Sequence, residues 1–217
     1  MTKPVDKANL DMFPHDRVVF FSDAVFAIAM TLLAIELKTP TAEAIAQVGP
    51  AEAWGETISV FIAYVVSFLV TALFWVGHML TWKYITRATA KLVWCVVFQL
   101  MFVAMMPLGT RLYSEAFTGS GAGRFAFYAF VLAGISFFAW MTRIVAARQE
   151  NLRERLGEAQ AKWYVMRGFI PFVVFAAAVP LAFVLPTWMG GFVFFMIFPL
   201  TVWARRRYER NGTQESA

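Results

Sequence analysis

Arg17-Val18-Val19-Phe20-Phe21-Ser22-Asp23 runs without a break into Ala24-Val25-Phe26-Ala27-Ile28-Ala29-Met30-Thr31-Leu32-Leu33-Ala34-Ile35-Glu36-Leu37, and the reading of this stretch decides the fold. From Val18 to Leu37 it has the roughly 20 residues that an α-helix needs to cross a bilayer core. Ser22 and Asp23 sit about one and a half turns inside that run. An ionisable side chain costs roughly 2.5–3.5 kcal/mol at the centre of a membrane helix and less near its ends. Asp23 therefore has to face protein or water rather than lipid, and two questions follow: what it pairs with, and what its helix lines.

The rest of the chain repeats the pattern of that run. The sequence is 217 residues long, 60% hydrophobic and 15% charged, against about 45–50% and about 25% for a soluble domain. Its apolar residues gather into six stretches, about 18–37, 57–80, 91–113, 125–147, 164–186 and 187–204. A membrane β-barrel would instead show segments of about ten residues with alternating polarity, and none alternates here. The reading is an all-α polytopic membrane protein with six transmembrane helices, residues 1–217 forming a single domain.

The net charge of +5 is distributed as a topology signal rather than as a nucleic-acid surface. Of 19 Lys and Arg, only Lys38, Arg111 and Arg124 fall on the side of the bilayer away from the N-terminus. The remainder flank the first span, lie between the second and third and around the fourth-to-fifth connection, or follow the sixth. The positive-inside rule then places both termini in the cytoplasm, which an even number of spans requires. Ala42-Glu43-Ala44 resembles a small-x-small cleavage site, but Asp11, Asp16 and Asp23 are atypical of a secretory leader, so the first span is expected to be retained.

Residues 1–12 read as loose, with Pro14 and Asp16 making a helix start. The segment up to Glu56 reads as an acidic loop, and residues 148–162 as a polar extension of the fourth helix. Pro171 and Pro180 fall inside the fifth span. Trp54, Trp82, Tyr84, Trp94, Tyr113, Trp140, Trp163, Tyr164, Trp188 and Trp203 lie near span ends, as an interfacial aromatic belt would.

Enzyme chemistry finds little support. Ser22 and Asp23 are adjacent on a helix and point about 100° apart, so they cannot both address one imidazole as a catalytic chain. His15 and His78 are the two histidines and Cys95 the one cysteine, and no metal-binding spacing connects them. No catalytic residues, resident metal or cofactor are assigned.

On the helical wheel Ala24, Ile28, Thr31 and Ile35 share one stripe, from which Ser22 and Asp23 project away. Spacing alone reads that stripe as ordinary helix packing before anything else. Arg17 falls over the stripe if the helix already runs through it. A second segment, Phe74-Trp75-Val76-Gly77-His78-Met79-Leu80-Thr81-Trp82, closes the second span at the depth of Ser22 and Asp23. His78, the Trp75 and Trp82 indoles and Arg17 are the donors open to Asp23. A structural network tying the first two helices is the preferred role, with a proton relay through Asp23 and His78 as the alternative.

Together these two segments resemble the transmembrane protein 175 family of potassium channels in its single-repeat bacterial form. The Arg-x-x-x-Phe-Ser-Asp hallmark is matched by Arg17, Phe21, Ser22 and Asp23, and a Phe-Trp-x-x-His pattern by Phe74, Trp75 and His78. The resemblance implies a homotetramer in a bacterial inner membrane, with four copies of the first helix lining a pore. It places a hydrophobic constriction at Ile28 and a pore-lining hydroxyl at Thr31, with Ala24 and Ile35 extending the line and K⁺ passing transiently near Ile28 and Thr31. It assigns Arg17, Phe21, Ser22, Asp23, Trp75 and His78 to an interhelical network. There is no Thr-Val-Gly-Tyr-Gly loop, so no carbonyl ladder replaces the ion's hydration shell, and a leak-type conductance with modest K⁺ over Na⁺ preference is expected. The competing function is a proton-coupled solute or ion transporter using Asp23 and His78.

Overall fold

Five helices long and apolar enough to cross a membrane are found among the described residues of the computed structural model. It describes residues 12–37, 39–116 and 121–184, with positions 197, 200, 201 and 203 also helical. Most of the sixth expected span, 187–204, lies outside the described residues.

Helix α1 spans His15–Leu33 and ends in a 3-10 turn, Ala34–Glu36. Pro14 is its N-cap residue and Asp16 lies in its first turn, so the helix begins where the sequence placed its start. Before it, Met12–Phe13 (β1) pairs antiparallel with Ala88–Thr89 (β2). That two-residue ladder holds Met12, the last residue of the segment expected to be loose, whose other residues lie outside the described ones. The acidic loop is partly ordered as well: Ala42–Val48 forms α2, with the Thr41 hydroxyl accepting from the Ala44 N–H at 3.2 Å. Gly49, at φ 87°, lets the chain turn directly into α3, Pro50–Trp82. A left-handed residue followed by a first-turn proline sets the entry, and the second span starts earlier than its apolar run.

The third span is broken in two. Helix α4 covers Ala90–Ala104 and α5 covers Met106–Glu115. Pro107 has no N–H to give the carbonyl one turn earlier, and its ring crowds that carbonyl. The chain tightens at Met105, whose N–H bonds to Phe102 O at 3.1 Å, and helical bonding resumes as the Gly109 N–H donates to Met105 O at 3.0 Å.

Helix α6, Ala122–Gln149, is the central element and packs on α4, α5 and α8. The expected polar extension of this helix does not form. Asn151 takes a left-handed φ of 48°, α7 runs only over Leu152–Leu156, and Gly157, at φ 84°, turns the chain into α8, Glu158–Leu181. Pro171 and Pro180 lie within α8.

Close approach is what builds the bundle. A Cβ on Gly134 of α6 would overlap the Phe102 ring of α4. A Cβ on Gly168 of α8 would press on the Trp140 backbone and the Arg143 side chain of α6. Around these contacts Phe26, Leu92, Met106, Tyr128, Leu132 and Ile135 are fully buried. Tyr128 stacks on Tyr113 at 4.7 Å and hydrogen-bonds the Ser67 hydroxyl at 3.0 Å, fastening α6 to α5 and α3. Tyr113 and Trp82 are therefore interior residues rather than members of the interfacial belt, at 5% and 4% exposure.

The start of α1, the end of α3, the β1–β2 ladder, the end of α6 and the start of α8 meet at one end of the bundle. Glu150 ties that end together, accepting from the Thr86 and Arg87 N–H groups and the Thr86 hydroxyl and pairing with Arg155 at 3.3 Å. Burial alone would raise its carboxyl pKa, but these donors and the Arg155 charge outweigh it and hold the value below the usual carboxylate range. At the opposite end Glu115 pairs with Arg111 and Arg124.

Candidate functional site

The two faces of α1 are opposite in character. Its buried residues are Ser22, Phe26, Ala29 and Leu33, a row at helical spacing turned toward α3, α4 and α5. Ala24, Ile28, Thr31 and Ile35 all lie on the other face and are exposed, Ile28 by 57% and Ile35 by 66%. At 100° per residue the centres of the two rows are about 160° apart, and the second row is left exposed among the described residues. The Thr31 hydroxyl donates to Ile28 O at 2.8 Å. Its proton is thereby committed to the helix, and its oxygen lone pairs are what it offers outward.

Between the faces sits the carboxylate. Asp23, half-buried, accepts from the Trp75 indole N–H at 2.9 Å, a direct tie between α1 and α3. The indole is a donor without acceptor capacity, so the Asp23 carboxylate oxygen is the acceptor in a charge-assisted bond. Such charge-assisted bonds contribute about 1.5–3 kcal/mol each.

His78 takes part differently. It is buried, and its Nε2 accepts from the Trp82 indole one turn along the same helix at 2.8 Å. Since an indole only donates, that nitrogen carries no hydrogen and the imidazole proton is on Nδ1. Phe26 of α1 lies against His78 at 5.6 Å, and His15 of α1 packs edge-on to Trp82 at 5.1 Å. Rings from both helices thus interleave beneath the Asp23–Trp75 bond. Gln99 of α4, 1% exposed, lies beside His78.

The remaining motif residues are placed less uniformly. Ser22 is fully buried, but its hydroxyl donates to Val18 O at 2.8 Å, within its own helix. Phe21 is 59% exposed. Helix α1 does run through Arg17, which is exposed and falls on the same face as Ile28. Among the described residues of one subunit neither Arg17 nor Phe21 joins the network. Both are exposed on the outward side of α1.

One cation does reach the interior, and it was counted in the sequence only as part of the basic flank. Arg143 of α6 is 7% exposed. Its Nε donates to Thr81 Oγ1 at 3.0 Å, a terminal nitrogen donates to Gly77 O at 3.2 Å, and the guanidinium lies 5.9 Å from the Tyr164 ring centre. Among the described residues no carboxylate pairs with it. The C-terminal turns of α3, where carbonyls accumulate partial negative charge, supply the compensation. The signal was present: Arg143 falls four residues inside the apolar run 125–147, and Gln99 is a lone amide inside 91–113.

Five apolar helices of spanning length among the described residues, with Asp23, His78 and Arg143 hydrogen-bonded to neighbouring side chains and a bare apolar face on the first helix, define a multi-pass α-helical membrane protein. Residues 17–107 match the profile of the family described as endosomal/lysosomal potassium channel TMEM175. That segment holds nearly all of α1 and the whole of α2, α3 and α4, and so both motif-bearing helices.

Individual relatives match over a little under half of the chain. A protein of Streptomyces collinus named as a potassium channel is 40% identical over 102 residues, 46% of this chain and 47% of that one. A Chamaesiphon minutus protein named as a potassium channel is 31% identical over 99 residues, 46% of this chain and 49% of the relative. A chicken protein named as an endosomal/lysosomal proton channel, TMEM175, is 32% identical over 106 residues, 46% of this chain and 21% of its own length. The chain thus spans about half the length of the curated bacterial relatives it matches. The crystal structure of a lysosomal potassium-selective channel TMEM175 homolog from Chamaesiphon minutus superposes with a TM-score of 0.73 at 23% identity, covering 89% of this chain and 97% of that one. That likeness concerns the fold.

Proposed function

We propose that the protein is a potassium-permeable cation channel in which four copies of α1 surround a pore gated by Ile28. The observation that carries this reading is the bare outward row Ala24, Ile28, Thr31 and Ile35 on a helix whose inward row is packed and whose flank is tied to α3 by Asp23 and Trp75. A transmembrane helix exposing Ile at this position would be unremarked against lipid. In a family whose bacterial relatives carry potassium-channel names, the same row is the surface that four subunits can turn toward a common axis.

A ring of four Ile28 side chains offers an ion no ligand, and when narrow it sheds water and closes. Conduction then needs dilation, with the ion keeping much of its hydration shell. Thr31, one turn further along, presents hydroxyl oxygens whose protons are engaged by Ile28 O, which suits them to a cation. Selectivity from such a site is modest and favours the more easily dehydrated K⁺, and the conductance is of leak type.

The proton-coupled transporter loses its support. Asp23 is occupied by Trp75 and His78 by Trp82, and both lie off the outward row. In our reading the spans number six, both termini are cytoplasmic, and the membrane is the bacterial inner membrane. The gathering of Lys83, Arg87, Lys91, Arg148, Arg153 and Arg155 at one end of the bundle supports that orientation.

The test is K⁺ flux in liposomes containing the purified full chain, with Na⁺ and a proton gradient as comparison arms. Uptake of K⁺ down its gradient without a coupled ion supports the channel. Saturable uptake that collapses with the proton gradient would favour the transporter.

A further inference from the structure

Where α6 ends, α7 and α8 fold back to leave a groove of about 860 Å³ on the outside of the bundle. Its walls are one face of α6 and one face of α8, with α7 closing the end, and its lining changes character along its length. Trp140 and Ile144 of α6 and Val165 and Phe169 of α8 form an apolar floor, with Trp140 and Phe169 in ring contact at 4.8 Å. The polar rim carries Arg148, Arg153 and Lys162 against a single carboxylate, Glu154. Lys162 is engaged with Glu158 at 2.7 Å, whereas Arg148 and Arg153 have no ion pair among the described residues.

At 1.5 Å per residue, Arg148 lies about 12 Å along α6 from Trp140. The headgroup zone of a leaflet is only about 5–8 Å deep, so a rim at phosphate level puts the floor among the upper acyl chains. Trp140 adds a second indication. Its Nε1 is buried and donates to nothing among the described residues, although the ring lines the groove. An acceptor entering between floor and rim would satisfy that N–H, and the ester carbonyls of a glycerolipid lie at that depth.

We propose that this groove binds an anionic phospholipid, Arg148 and Arg153 meeting the phosphate and the Trp140–Phe169 floor holding the start of an acyl chain. The net positive rim against an apolar floor selects a lipid over a free anion, which would leave the floor wetted. It also disfavours the chain's own C-terminal segment, since Arg205, Arg206, Arg207 and Arg210 would meet like charge. The site stands apart from the outward face of α1 and does not depend on what that face conducts.

The experiment is native mass spectrometry and thermal denaturation of the purified full chain in detergent, titrated with phosphatidylglycerol, phosphatidylcholine or soluble glycerol phosphate. Phosphatidylglycerol should be retained and should raise the melting temperature more than phosphatidylcholine does, with glycerol phosphate inert. The double variant Arg148→Ala with Arg153→Ala should weaken phosphatidylglycerol binding by about 30-fold, at five- to sixfold for each surface arginine. Ile144→Trp, which fills the floor and leaves every charge in place, should displace the lipid as well. The control Arg124→Ala, at the opposite end, should change nothing. Equal response to the two lipids, an equal response to glycerol phosphate, or undiminished binding by Ile144→Trp would overturn the proposal. So would lipid binding that appears only after residues 205–217 are removed, because the groove would then belong to that segment.

Discussion

The Asp23–Trp75 bond can be isolated from everything else that joins α1 to α3. Trp75→Phe keeps an aromatic ring in place but deletes the indole N–H, leaving a half-buried carboxylate without its donor. Hydrogen bonds to charged groups contribute about 1.5–3 kcal/mol, and stranding the acceptor adds its desolvation, so a loss of about 2–3 kcal/mol is expected. Asp23→Asn keeps an oxygen facing the indole and converts a charge-assisted bond into a neutral one, which should cost about 1 kcal/mol. In the double variant the amide is left without the donor but bears no charge, so its loss should fall short of the two single losses combined by about 1 kcal/mol or more. The assay is reversible unfolding of the full chain in lipid–detergent bicelles, with the four proteins of the cycle compared at one lipid composition. Strict additivity, with a coupling below about 0.3–0.5 kcal/mol, would refute the claim that this bond braces the first helix.

Three further outcomes follow from the same geometry. Glu150 binds its proton more weakly folded than unfolded, so its clamp on Thr86 and Arg87 is fully present above the ordinary carboxylate range and is lost as pH falls through the lower folded value; the stability difference between wild type and Glu150→Gln should shrink on acidification, and a difference independent of pH would contradict this. Arg143 is buried without a carboxylate, so Arg143→Met removes a charge and strands none. Its effect should stay within about 1 kcal/mol, whereas Arg143→Ala opens a cavity and should cost about 2 kcal/mol or more in the same unfolding assay. The lipid groove predicts that phosphatidylglycerol stabilisation disappears with Arg148 and Arg153 while the unliganded melting temperature stays nearly constant.

Much of this was legible in the sequence because membrane helices leave few choices. Length and polarity located the five described spans to within a few residues at most ends, since a bilayer admits no unpaired backbone. The wheel alone turned Ser22 and Asp23 away from Ile28, and the structure buries one row and exposes the other accordingly. Trp75 was among the donors considered for Asp23, but four were chemically possible, and only tertiary packing selects one. Arg17 was assigned to the network through its motif; the helix runs on through it and places it on the outward face.

The misses have local causes. Hydropathy is blind to a backbone break, so α4 and α5 read as one span although Pro107 was in plain view. The turn at Asn151 and Gly157 was hidden in charges that also suit a helix surface. The β1–β2 ladder joins residues more than seventy positions apart, a pairing that no local pattern encodes. Arg143 was read as an anchor because basic residues near span ends usually are.

The central claim is that the outward face of α1 is the permeation path and that Ile28 closes it. The most direct measurement is K⁺ flux through wild type and Ile28→Asn in liposomes at equal protein density. Replacing a ring of sec-butyl groups with amides removes the dewetting barrier, and a tenfold rise corresponds to only about 1.4 kcal/mol of it. A rise of about tenfold or more, absent in a control substitution at exposed Val173 of α8, is the predicted result. Unchanged flux in Ile28→Asn, with the protein folded and conducting, would contradict the account.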